Sequence, residues 1–118
     1  MDNKFPTERR VCKKSDFIPV LRTGSPFFSR HGKLLCKSNL YCYPRFGMIV
    51  SKKAAKRSVT RSRIKRVARE TFRQNQSGLP NQDMVFIAHY GSDEVTNEEL
   101  RKCIKRMLTQ LQKSVSSS

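Results

Sequence analysis

The sequence predicts an α+β fold: a two-layer α-β sandwich whose small sheet carries its helices on one face. Three observations predict it. Between Ser25 and Ser51, short apolar runs are separated by Pro26, Gly32, Asn39 and Pro44, the pattern of strands and turns. From about Lys56 to Gln76, apolar residues recur at helical spacing. Near the end, Leu100, Ile104, Met107, Leu108 and Leu111 form one apolar stripe behind a helix-start signal. The predicted order is α-β-β-β-α-β-α, and 118 residues suffice for a single domain, 1–118, with one modest core.

Residues 1–14 are polar and basic and read as a loose arm. Ser15 suits the N-cap of a short helix through about Arg22, because its hydroxyl can accept from a free backbone N–H. Pro19 then stands early in the helix, where a missing N–H costs little, and Gly24 ends it. The runs Phe27–Phe28, Lys33–Lys37, Leu40–Tyr43 and Arg45–Ser51 read as strands. In the last of these, Phe46, Met48 and Val50 give an apolar face, and the other face is expected to be open near Gly47. Gly78 and Pro80 stop the long helix. Met84 to Ala88 is an unbroken apolar succession, as in a buried strand. Thr96 and Glu99 form a capping box for the last helix, with Val95 and Leu100 placed as a hydrophobic staple. Residues 114–118 are Ser-rich and expected to fray. The first, basic and last helices together are expected to supply the core, leaving part of the other sheet face open for binding.

The formal net charge is +16. Lys52 to Arg73 holds Lys52, Lys53, Lys56, Arg57, Arg61, Arg63, Lys65, Arg66, Arg69 and Arg73, with Glu70 as its sole acid. Val59, Ile64, Val67, Ala68 and Phe72 are interleaved at helical spacing, so this is a folded helix and not a basic tail. At about 100° per residue, Ile64, Val67, Ala68 and Thr71 share one side. Lys65, Arg66, Arg69 and Arg73 share another arc of roughly 100° that includes Ser62. Surfaces built only for helix stability mix signs to gain Glu–Lys pairs. A one-sign surface repels itself until a polyanion covers it, and nucleic acid is the polyanion that fits. Arginine's planar fork pairs with phosphate oxygens two at a time. Strands flanking the basic helix disfavour a helix-turn-helix reader, while an open sheet face with aromatic and basic residues suits single-stranded RNA.

Other chemistries find less support. Cys12, Cys36, Cys42 and Cys103 include no C-x-x-C pair, and His31 and His89 lie near no cysteine in sequence, so zinc is not expected. The thiols read as reduced, some of them in the core. The charged first residues, without a following apolar run, argue against a secretory signal. No long apolar segment suggests a membrane span. No carboxylate cluster suits two metals, and the histidines have no evident acid–base partner, which speaks against a protein-only nuclease. Asp16 reads as a capping or helix-orienting group.

The segment VSKKAAKRSVTRSRIKRVARE, Val50 to Glu70, resembles the protein component of bacterial ribonuclease P, whose pattern there is a strand ending in S-K-K and a helix carrying R-N-R-I-K-R. KKSDFIPVLRTG, Lys13 to Gly24, resembles the family's first helix. DMVFIAHYGSDEVTNEELRK, Asp83 to Lys102, resembles its last strand, turn and capped helix. The resemblance covers nearly the whole chain. It implies a ribosomal protein S5 domain 2-like fold with a left-handed β-α-β crossover around the basic helix. It also implies a cytoplasmic bacterial protein that binds ribonuclease P RNA and the 5′ leader of precursor tRNA, with no DNA or membrane partner. Catalysis would belong to the RNA with Mg2+ bound mainly by it, and no side chain of the protein would be catalytic or hold the metal.

By the same resemblance, Lys56, Arg61, Ser62, Arg63, Lys65, Arg66, Arg69 and Arg73 would contact the catalytic RNA. Phe17, Leu21, Ser51, Lys52 and Lys53 would form the leader-binding cleft. Ser62 stands where the family usually has Asn, and Leu21 where a second aromatic is common. The strand Lys33–Ser38 has no aromatic, and Arg57 follows Lys56 where the family tends to place a small residue. A ribosomal or other structural RNA-binding protein is the alternative; it would leave precursor tRNA cleavage unchanged. A DNA-compacting protein would show no preference for RNA.

Overall fold

A computed structural model of the chain describes residues 14–39, 44–89 and 91–116. Helix α1 (Lys14–Thr23) leads into strands β1 (Ser25–Phe28), β2 (Gly32–Ser38) and β3 (Arg45–Ile49). Helix α2 (Ser58–Asn75), strand β4 (Gln82–Ala88), a short 3-10 turn (Ser92–Glu94) and helix α3 (Asn97–Ser116) follow. The expected element order is present. The arm before residue 14 and the run Leu40–Tyr43 lie outside the described residues. Helix α3 continues to Ser116, past the Lys113 where the Ser-rich end was expected to fray.

The sheet has four strands in the order β1-β2-β4-β3. Strand β4 sits inside it, antiparallel to β2 and parallel to β3. The parallel pairing follows from α2, which carries the chain from the end of β3 back to the start of β4. The pairing begins at Arg45 opposite Asp83. The Arg45 guanidinium donates from Nε to Asp83 Oδ1 at 2.8 Å and from Nη2 to Oδ2 at 2.7 Å. Asn39 Nδ2 also donates to Oδ1 at 2.9 Å. Both charges are nearly excluded from solvent, so their mutual bonding is what makes their burial tolerable.

Alternation along the strands divides the sheet into two faces. One carries Leu34, Cys36, Phe46, Met84, Phe86 and Ala88, packed under α2 and α3 in the main core. Helix α2 contributes Ile64, Val67, Ala68, Thr71 and Phe72, the side expected from spacing plus Phe72. The Thr71 hydroxyl is satisfied by donating to the Val67 carbonyl at 2.8 Å. Helix α3 contributes its predicted stripe and Cys103. The capping box is half realised, with Glu99 N–H donating to Thr96 Oγ1 at 3.1 Å, and both staple residues, Val95 and Leu100, are buried. Burial in this core pushes the Cys36 thiol up to about 12, so it stays protonated and inert.

Three expectations are corrected. Helix α1 is not with the other helices: Val20 packs with Leu35, Val85, Ile49 and Ile87 on the opposite sheet face. Its period marked an apolar side but not which sheet face that side would meet. Gly24 joins α1 directly to β1, and a Cβ there would lie 2.4 Å from the Val20 carbonyl oxygen. Helix α1 also starts at Lys14, so Ser15 lies inside it and Pro19 falls mid-helix. Gly47 is buried on the face that α1 shares.

Helix α2 joins the sheet most directly at Phe46 and Phe72, whose rings stack with centroids 4.5 Å apart and an interplanar angle of 15°. Both are fully buried. Phe72→Ala is expected to destabilise the fold by about 3–5 kcal/mol, the transfer and cavity cost of a buried aromatic. Urea titration followed by circular dichroism measures this.

Candidate nucleic-acid interface

Burying one side of α2 fixes where its cations point. Lys65, Arg66 and Ser62 are exposed, and Arg61, Arg63, Arg69 and Arg73 are half-buried. Lys56 and Arg57 are exposed just before the helix. Arg61/Lys65, Lys65/Arg69 and Arg69/Arg73 are like-charge pairs four residues apart, each of which weakens an isolated helix.

The predicted cations are not equivalent. Arg61 Nη1 donates to the carbonyls of Ala55 at 3.0 Å and Lys56 at 2.8 Å, so it braces the loop entering the helix. Arg63 Nη1 donates to Asn97 Oδ1 at 2.6 Å and is tied to the start of α3. Arg69 Nε is buried without a partner among the described residues, leaving a donor that an incoming acceptor would satisfy. Val59 is 64% exposed. With Thr60, Ser62, Arg63 and Arg66 it lines an open depression of about 470 Å³. At about 100° per residue Val59 falls between Arg63 and Arg66 on the outward arc, so the helical period itself places it in solvent.

The approach to α2 is a tight loop. Ala54 and Ala55 N–H both donate to the Ser51 carbonyl at 3.1 Å, and Ala54 also reaches Ser51 Oγ at 3.2 Å. Asp93, from the turn before α3, accepts the Lys56 N–H at 3.0 Å. The N-cap residue Arg57 makes no side-chain cap, and the first turn holds no acid.

On the α1 face, strand register aligns Phe28, Lys33, Ile87 and Ile49 in one row across the sheet. Val20 of α1 packs over the neighbouring row, on Leu35 and Val85. The first row is left partly uncovered, with Phe28 62% exposed. Beside it lies a depression of about 590 Å³ lined by Phe28, Arg30, Lys33, Ser51, Ile87 and His89, together with Ala88. The open sheet face expected from sequence is therefore present, half roofed by α1.

Of the predicted cleft residues, Ser51 lines this depression, and Lys52 and Lys53 are exposed on the turn beside it. Leu21 is 43% exposed on α1. The side chain of Phe17 lies outside the described residues. Phe28, Lys33 and Ile87 were missed by sequence reasoning. The available signal was in β2, where Lys33, Leu35 and Lys37 alternate with Leu34 and Cys36, but cross-strand register was needed to unite them.

Among the described residues, no three of His, Cys, Asp and Glu form a group able to hold a metal ion. His31 Nε2 lies 3.7 Å from Glu99 Oε2, a pairing that is ionic only when the ring is protonated. No helix among the described residues is long and apolar enough to cross a membrane.

The sequence matches the Ribonuclease P family over residues 5–112. It is 35% identical to the ribonuclease P protein component of Pseudoalteromonas atlantica, over 99% of this chain and 98% of that one. Against the protein component of Chromohalobacter salexigens the identity is 36%, over 97% and 90% of the two chains. The RNase P protein of Staphylococcus aureus superposes with a TM-score of 0.79 at 26% identity, covering 86% of this chain and 94% of that one. That of Thermotoga maritima superposes at 0.72 with 25% identity, covering 80% and 90%.

The Asp93 contact makes the loop before α2 depend on the turn before α3. Asp93→Ala is expected to speed hydrogen exchange at the Lys56 amide about tenfold, as removal of one hydrogen bond to a charged acceptor would do. Exchange followed by NMR tests it; an unchanged Lys56 rate with an intact fold would show that the carboxylate holds nothing.

Proposed function

This chain belongs to the ribonuclease P protein component family, and from that premise we propose that it uses two surfaces, one for the catalytic RNA and one for the leader of its substrate. It is the protein subunit of a ribonucleoprotein endonuclease, and its partner is RNA. The finer reading is that it binds ribonuclease P RNA and precursor tRNA in a bacterial cytoplasm, promoting removal of the 5′ leader.

The observation that carries the reading is α2: one side locked in the core, the other cationic with Glu70 as its only acid. Lys56, Ser62, Lys65, Arg66, Arg69 and Arg73 would contact phosphates of the catalytic RNA. Arg61 and Arg63 would contribute with part of their donor capacity already committed to Ala55, Lys56 and Asn97. Ser62 offers a hydroxyl in place of the family's usual amide, in the depression it shares with exposed Val59.

The second surface is the half-roofed sheet face. A single-stranded leader would run between α1 and the Phe28–Lys33–Ile87 row, meeting Leu21 of α1, with Ser51, Lys52 and Lys53 at the end nearest α2; by the family resemblance Phe17 would also contact it. Leu21 gives apolar contact where an aromatic would stack, and exposed Phe28 supplies an aromatic from the floor. The turn carrying Ser51 to Lys53 joins β3 to α2, so the leader and the catalytic RNA would meet there.

Magnesium bound mainly by the RNA would supply activation of the attacking water. The chain's part is to add cations where the two RNAs approach, lowering their repulsion and favouring bound metal.

The test is 5′ processing of a precursor tRNA at low magnesium by a bacterial ribonuclease P RNA, with and without the protein. Stimulation that needs both components is expected; no effect in any combination would favour a structural RNA binder. Replacing Arg63 and Arg66 together with Ala should make the dependence of log affinity for the catalytic RNA on log salt shallower by about 1.5. An unchanged slope would remove these residues from the interface. Phe17→Ala should weaken binding of leader-bearing precursor by about 1–3 kcal/mol, the range of one base-stacking interaction, and leave mature tRNA unaffected. Equal weakening for both would make Phe17 structural.

A further inference from the structure

The outward side of α3 belongs to neither surface. Leu100, Cys103, Ile104, Met107 and Leu108 are buried, while Arg101, Lys102, Lys105 and Arg106 are all exposed. Arg101/Lys105 and Lys102/Arg106 are like-charge pairs four residues apart, so the arrangement weakens the helix. Arg101 and Lys102 also sit toward the N-terminus, where the helix dipole disfavours cations. The contact of Lys102 with Glu98, at 3.7 Å, joins two side chains each more than three-quarters exposed, and solvent screens it. Beyond the first-turn acids Glu98 and Glu99, no acidic residue in the helix offsets these cations.

A second element adds to it. Arg30, exposed in the β1–β2 turn, joins Lys102 and Arg106 around a depression of about 230 Å³ whose wall includes Ser29 and buried Cys103. His31 and Glu99 share the rim, so one carboxylate offsets part of the local charge.

Helices α2 and α3 lie side by side on the same sheet face, tied near their starts by Arg63 and Asn97. Packed helices have axes about 8–10 Å apart, so their outward faces form two cationic ridges about one helix diameter apart. One phosphodiester strand following α2 does not also follow α3.

We infer that the outward face of α3, with Arg30, is a second RNA-contact surface that takes a backbone segment of the catalytic RNA distinct from the one held by α2. The inference rests on the reading of α2 as the helix that holds the catalytic RNA. Charge favours RNA over a protein partner, because a continuous polyanion can neutralise the whole ridge, whereas acidic side chains would have to match it one by one.

The experiment uses full-length protein and the intact ribonuclease P RNA. The triple variant Lys102→Gln, Lys105→Gln, Arg106→Gln removes charge while keeping an unbranched, polar, helix-compatible side chain. The expected result is a log affinity against log salt plot shallower by about 2 to 3, from about 0.7–0.9 for each phosphate that the variant no longer neutralises. Hydroxyl-radical footprinting should show that one RNA segment is no longer protected, and that it differs from the segment uncovered on replacing Arg66 with Ala. Melting temperature should hold or rise, since two repulsive pairs are relieved. If the triple variant folds poorly, Lys102→Gln alone should reduce the slope by about 0.7–0.9.

An unchanged slope with every protection retained would overturn the inference and leave the ridge to solvent or a protein partner. If the Arg63 and Arg66 variant alters the slope and the α3 variant does not, the inference about α3 fails while the α2 reading stands. Failure of the wild-type protein to bind this RNA would overturn both.

Discussion

The stacked contact of Phe46 with Phe72 is the joint on which the rest of the molecule depends. It connects the edge strand β3 to the far half of α2, the helix that carries the chain from β3 to its parallel partner β4. Once Phe72, Ala68, Ile64 and Val67 are seated, the helix cannot roll, and the direction of every cation on it is set. One register pair before Phe46, at the same end of the β3–β4 pairing, the bidentate Arg45–Asp83 bond holds the register. A one-residue slip there would exchange the two faces of β3, placing Gly47 and Ile49 under α2 and turning Phe46 away.

The sheet separates two kinds of work. Its α2–α3 face is buried in the main apolar core, so the cations stand on the far side of the helices. Its other face is covered only in part, with α1 short and Val20 its buried side chain among the described residues. What remains is a row running from aromatic Phe28 through cationic Lys33 to aliphatic Ile87 and Ile49. That combination gives a base something to stack on and a phosphate something to pair with.

Charge is the second constraint. The chain sets like charges four apart along both α2 and α3 and tolerates the repulsion because the hydrophobic core holds the helices. Internal hydrogen bonds take up a few of the basic groups: Arg61 braces the loop before α2, Arg63 joins α2 to α3, and Arg45 holds Asp83. The exposed cations of α2, with Glu70 as that helix's one acid, depend on counterions from outside the protein. Stability therefore resides in the apolar interior and function in a surface that works against it.

The sequence by itself determined the class of the protein, the order of its elements, the buried side of α2, the capped start of α3 and the cationic face. These are properties of periodicity, local hydrogen bonding and charge, which act within a few turns of one segment. Tertiary structure decided what depends on contacts distant along the chain. Helix α1 crossed to the opposite sheet face, because an amphipathic period marks a side and not a partner. Phe28, Lys33 and Ile87 became neighbours only through strand register. Arg61 and Arg63 drew on backbone and side-chain acceptors elsewhere in the fold. A string of residues states how many cations there are; only the packed molecule states which of them are already engaged.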